Sequence, residues 1–121
     1  MKYCLDIDDD NKIVKATATG LLNLVKRKEM LRSIQQILTS TGFLNVIIDL
    51  QETRLDPDEP VSGAFELIAY MKEIGFSPDV KLAFIALGNE YHRDYFEEFA
   101  KRGGFSIRYF QTSEDALVWL G

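Results

Sequence analysis

The stretch "KYCLDIDDDNKIVKATAT", residues 2–19, decides the fold. Residues 2–8 alternate, with Tyr3, Leu5 and Ile7 set against Lys2, Cys4, Asp6 and Asp8. A period of two is that of a strand with one buried face. "DDDN" (8–11) is a turn cluster, and "KIVKATAT" (12–19) begins a second strand almost at once. So short a connection has no room for a helix, so the two strands form an antiparallel hairpin. Gly20 then breaks the alternation.

Beyond Gly20 the period changes. Met30, Leu31, Ile34, Ile37 and Leu38 recur at helical spacing and predict a helix over 23–40. Asn23 suits its N-cap, and Gly42 supplies the left-handed residue that ends it. "NVIIDL" (45–50) and "VKLAFIAL" (80–87) are short continuous apolar runs, the mark of strands buried on both faces. Between them, "LDPDEPVSGAFELIAYMKEIG" (55–75) runs from a polar loop into a second helix. Asn89 can cap a third, "EYHRDYFEEFAKR" (90–102), which stops at Gly103-Gly104. "FSIRYF" (105–110) reads as a strand nearer an edge. "TSEDALVWLG" (112–121) is a closing helix capped by Thr112 or Ser113. The order β-β-α-β-α-β-α-β-α predicts one α/β domain over residues 1–121. It has a mostly parallel five-stranded sheet, an N-terminal antiparallel hairpin and four helices.

The bulk numbers narrow the function. The 121 residues carry a net charge of -5, with a pI near 4.8. Such a chain has no general attraction for nucleic acid or anionic membranes. Its apolar runs are far short of a membrane span, and it opens without a signal pattern, so the expected location is the cytoplasm. The single cysteine, Cys4, rules out an internal disulfide and suits a reducing compartment.

Three features, covering nearly the whole chain, match a known pattern. A hairpin ends in Gly20 before a helix, a buried strand ends in "IIDL" (47–50), and the last third reads "KLAFIALGNEYHRDYFEEFAKRGGFSIRYFQTSEDALVWL" (81–120). On these the chain resembles the STAS domain superfamily, and within it the SpoIIAA-like family related to CRAL-TRIO domains. The resemblance implies a non-catalytic regulatory module that works by binding another protein or itself. Response-regulator receivers share early acidic residues and an acidic residue at the end of the third strand, here "DIDDD" and Asp49. A receiver, however, has a helix directly after its first strand. It also has a Thr or Ser near Ala86-Leu87-Gly88 and a Lys near Gln111, and this chain has none of the three.

In antagonists of the STAS type, a phosphorylated serine lies after the third strand, at the start of the next helix, in a pattern close to Asp-Ser-Gly. Ser62-Gly63 matches in order and position. Val61 stands before the serine instead, and the loop from Asp49 is longer. On a helical wheel, Ala64, Leu67, Ile68, Met71 and Ile74 form the apolar arc, with Ser62, Glu66 and Glu73 opposite. A phosphate on Ser62 would meet Glu66, Asp56, Asp58 and Glu59, with no Arg or Lys close in sequence. The plainer reading makes the segment a helix start. Asp56-Pro57-Asp58-Glu59 has capping-box spacing, Pro60 interrupts it, and Ser62 caps the restarted helix. Ser62, Gly63 and Glu66 are thus the candidate phosphorylation and partner face.

Three other groups carry alternatives. Lys26, Arg27 and Lys28, with Arg32, crowd the first turns of the first helix. Cations there oppose the helix dipole and invite an anion, or are only a solvated surface. Tyr95, Phe96, Phe99, Tyr109, Phe110 and Trp119 are either core or the lining of a pocket for a small, lipid-like apolar ligand, which the likeness to CRAL-TRIO domains favours. A Cys4–His92 dyad would make a hydrolase, provided the two meet in space. No phosphate-binding glycine loop, metal-ligand spacing or nucleophile elbow is present, so the expectation is a protein without catalysis, cofactor or metal.

Overall fold

The hairpin forms as the alternation requires. In a computed structural model of the chain, β1 (Lys2–Asp8) runs antiparallel to β2 (Ile13–Leu21), with Tyr3 opposite Ala18 and Asp8 opposite Ile13. The structure describes residues 1–56, 58, 62–86 and 90–121, apart from the side chains of residue 62 and residues 90–95. Asp8 organises the turn. Its carboxylate accepts from the backbone N–H of Asn11 at 3.1 Å and from Asn11 Nδ2 at 2.8 Å.

The rest follows the expected order: α1 (Leu24–Thr41), β3 (Asn45–Arg54), α2 (Ser62–Glu73), β4 (Lys81–Ile85), α3 (Glu90–Arg102), β5 (Ser106–Phe110) and α4 (Ser113–Leu120). The sheet order is β1-β2-β3-β4-β5, with every pair after the hairpin parallel. Three caps fall where the sequence puts them, while Asn89, the expected cap of α3, and the side chain of Ser62, that of α2, lie outside the described residues. Asn23 Oδ1 accepts from the Lys26 N–H at 2.9 Å, Gly42 donates to the Leu38 carbonyl at 2.8 Å, and Thr112 Oγ1 accepts from the Asp115 N–H at 3.2 Å.

Two boundaries differ from expectation. Gly20 does not end β2; it pairs with Thr53, and the strand runs on to Leu21. β3 likewise continues past Leu50 to Arg54. The register slips by one residue between Thr17↔Asp49 and Thr19↔Glu52, which is what a bulge does. Residues 51–54, read from sequence as loop, are therefore strand. Backbone pairing with β2 holds them there, and polar side chains give no apolar run to announce it. β4 is shorter than 80–87: it ends at Ile85.

Three helices share one face of the sheet and one takes the other. Met30, Ile34 and Leu38 of α1, Leu67 and Met71 of α2, and Phe96 and Ala100 of α3 bury against Val14, Ala16, Val46, Ile48, Leu82, Phe84 and Ile107. On the opposite face α4 alone lays Ala116 and Leu120 over Ile13, Ile47, Ala83 and Ile85. β4 is thus covered twice, which is why "KLAFI" has no polar alternation. Among the described residues nothing covers β1 on the α4 side, where Lys2, Cys4, Asp6 and Asp8 are exposed.

α3 stops in a two-glycine turn. Gly104, at φ +86°, donates to the Lys101 carbonyl, and Phe105 donates to the Ala100 carbonyl at 2.8 Å, the paired bonds of a Schellman end. Phe105 is thereby turned into the core, 7% exposed.

Candidate binding face at the helix starts

Because β2, β3 and β4 are parallel, the helices that follow them all begin at the same end of the sheet, beyond the strands' carboxyl ends. Open α/β sheets place their sites there. Side-chain contacts fix the helices' relative heights. Lys28 Nζ of α1 lies 3.8 Å from Glu66 Oε2 of α2 and 5.6 Å from the centre of the Tyr70 ring. Phe65 of α2 meets Phe99 of α3 edge-on, ring centres 5.8 Å apart. α2 therefore stands between α1 and α3, and its first turn is level with the start of α1 and with Phe96, one turn before Phe99.

Ser62 is the first residue of α2; its side chain lies outside the described residues. Gly63 is buried, and Glu66 is exposed and ion-paired with Lys28. Lys28, remote in sequence, thus pairs with one of the acidic residues read around that serine, Glu66, one helical turn after it.

Lys26, Arg27 and Lys28 go three ways. Lys26 Nζ pairs with Glu29 Oε2 at 3.4 Å on the exposed side. Lys28 reaches α2. Arg27 turns inward, 8% exposed, with its guanidinium carbon 5.8 Å from the centre of the Phe96 ring. Phe65 does the reverse: it is an aromatic residue on the outer side of α2, 61% exposed.

No family model matches the chain, and no curated protein matches it. Solved structures do. An anti-sigma factor antagonist from Mycobacterium paratuberculosis aligns over 98% of this chain and 94% of its own, with a TM-score of 0.61 and 16% identity. SpoIIAA in its unphosphorylated form aligns over 97% and 94%, with a TM-score of 0.61 and 12% identity. The chain has a SpoIIAA-like fold. An uncharacterised DUF3478-family protein from Shewanella loihica PV-4, described as having the same fold, aligns over 99% and 93%, with a TM-score of 0.60 and 16% identity.

In this SpoIIAA-like fold the sheet divides the six aromatic candidates. Phe96, Phe99 and Tyr109 belong to the three-helix face, and Phe110 and Trp119 to the α4 face. The Tyr95 side chain lies outside the described residues. On the first face Phe84, Phe96 and Tyr109 pack ring on ring at 5.2–6.1 Å. On the second, Phe110 meets Trp119 at 5.6 Å. A shallow groove between α1 and α2 is lined mainly by polar side chains, among them Arg32, Gln35 and Glu73.

Cys4 is exposed on β1, on the face opposite α3. His92 belongs to α3, and its side chain lies outside the described residues. Among the described residues no cluster of three His, Cys, Asp or Glu could hold a metal ion, and no helix is long and apolar enough to cross a membrane.

One residue of the helix-start face, Phe65, and the inward course of another, Arg27, escaped the sequence reading, and both had left a signal. Positions 27, 30, 31, 34 and 38 share one helical stripe, so Arg27 continues the apolar face of α1 inward. Phe65 falls outside the arc of Ala64, Leu67, Ile68, Met71 and Ile74, so the same wheel puts it outside.

Proposed function

We propose that the chain is a non-catalytic regulatory module that binds another protein, or a second copy of itself, through the face where α1 and α2 begin. The exposure of Phe65 carries this reading. A ring 61% exposed on α2, held by edge contact with Phe99 and flanked by the Lys28–Glu66 pair, is the kind of ordered aromatic anchor that protein interfaces use. Two solved proteins of similar fold, one called an anti-sigma factor antagonist and the other SpoIIAA, lend the regulatory reading further support. Ser62 opens the same helix, and a phosphate there would add negative charge beside Lys28 and Glu66. The exposed thiol of Cys4 suits a reducing interior, so the module works in the cytoplasm. A carrier of a small apolar ligand has less support, because the described aromatic rings pack against one another.

The test compares Phe65→Glu with Val118→Glu, a control at an 81% exposed position on the opposite face. Sedimentation and affinity capture from the native host should show a dimer or a partner that Phe65→Glu loses and Val118→Glu keeps. A strict monomer with no partner dependent on Phe65 overturns the reading. Ser62→Asp should weaken the same contact while Ser62→Ala preserves it; equal binding by both reduces Ser62 to a helix start.

A further inference from the structure

The two edges of the sheet are not alike. β5, on one side, is five residues long, and a carboxylate from α3 sits on one of its N–H groups. β1, on the other, is seven residues long, contains no proline, and pairs with β2 in unbroken register from Lys2↔Thr19 to Asp8↔Ile13. Every second residue of β1 therefore turns its N–H and C=O away from β2. Among the described residues no other element hydrogen-bonds to that backbone. Edges are commonly blunted by shortness, proline, a bulge, a covering element or charge. Of these, β1 has only charge among the described residues, and its charges are arranged to attract a copy of itself.

A second β1 laid antiparallel to the first, with Leu5 opposite Leu5, sets Lys2 against Asp8 of the copy at both ends. Tyr3 then faces Ile7, and Cys4 faces Asp6. All seven residues pair in this register, and the members of each pair share one face of the sheet. Asp6 already has a cation opposite it within the chain, Lys15 of β2. On the helix face, Ile7 is left 46% exposed at the margin of the core, and Tyr3 of the copy covers it. Neighbouring registers fit less well. A slip of two residues one way sets Asp6 against Asp6. A slip the other way leaves Asp8 unpaired and sets Ile7 against Met1, outside the strand.

We propose that β1 is a self-association edge, where two copies of the chain join β1 to β1 about a two-fold axis and form one continuous sheet. The pairing uses up both β1 edges and leaves the two β5 edges outermost, so assembly closes at the dimer. One pair of strands is a small interface, below the size of stable complexes, so the dimer forms and dissociates with concentration. The contact uses neither Phe65 nor Ser62.

The test is sedimentation velocity of the whole protein up to about 1 mM, where a weak interface of this kind is populated, with amide exchange measured at both ends of the series. A monomer–dimer equilibrium is expected, and the β1 amides should exchange more slowly in the concentrated sample. Lys2→Glu turns both end pairs from attraction to repulsion and should weaken the dimer about tenfold. Ile7→Lys should weaken it likewise. Both side chains are exposed in the single chain, so both variants keep the fold. A nitroxide on Cys4, the only cysteine, reports the register: the two labels become diagonal neighbours, and their spectrum broadens as the protein is concentrated. Phe65→Glu should leave this dimer intact. The proposal is overturned if the protein stays monomeric at about 1 mM, or if Lys2→Glu and Ile7→Lys associate as the wild type does. A dimer that Phe65→Glu abolishes, with β1 exchange indifferent to concentration, also overturns it.

Discussion

The carboxylate of Glu97 takes the backbone N–H of Tyr109 at 2.6 Å, tying the middle of α3 to strand β5. β5 is the last strand of the sheet, so one side of its backbone has no strand to pair with. A carboxylate from the neighbouring helix closes part of that open edge, a common protection against pairing with another chain. Glu97→Ala removes the carboxylate acceptor of this half-buried N–H and should cost about 1–3 kcal/mol. Glu97→Gln retains an acceptor and should cost less. Urea unfolding of both variants, with unchanged slope, checks the ranking.

The two glycines that end α3 do different work. A Cβ built on Gly103 would lie 2.8 Å from Ile68 Cγ2, a stiff, buried side chain of α2. Gly103→Ala must therefore push α2 and α3 apart and should cost about 1–3 kcal/mol. Gly104 has open space around it but sits at φ +86°. Gly104→Ala should cost about 1 kcal/mol through backbone strain alone. Trimming the neighbour separates the causes: in an Ile68→Ala background, which lacks the Cγ2 methyl, Gly103→Ala should cost less while Gly104→Ala costs the same.

Asp8 should give the hairpin turn a measurable acid sensitivity. The hydrogen bond from the Asn11 side chain, then that from the Asn11 backbone, favours its carboxylate and holds its pKa below the ordinary aspartate value. A lowered folded-state pKa means stability that is fully present above the ordinary value and is lost as pH falls through the folded one. Carbon-detected titration of the Asp8 carboxyl should show the lowered midpoint. Asn11→Ala should return it toward the ordinary value.

The order of elements was legible because each carries its own periodicity. Tyr3, Leu5 and Ile7 repeat every second residue, and Met30, Ile34 and Leu38 follow one helical stripe. Asn23, Gly42 and Thr112 mark ends through local hydrogen bonds that need nothing distant. What the sequence concealed depends on neighbours far along the chain. Residues 51–54 are strand only because β2 continues beside them. Lys28 meets Glu66 only because α1 and α2 pack side by side. A run of three basic residues looks like one patch on paper, but a helix turns about 100° per residue and sends each in its own direction.

The sheet is unevenly clad, and so it should come apart unevenly. β1 has one neighbouring strand, one open face, and a side-chain tether from Tyr3 Oη to Glu29 Oε2 at 3.0 Å. β4 has strands on both sides and helices on both faces. Native-state amide exchange should find β1 opening with far less free energy than β4, in an excursion that leaves the parallel strands intact. Equal protection in the two strands would mean that the hairpin and the parallel layers melt as one unit.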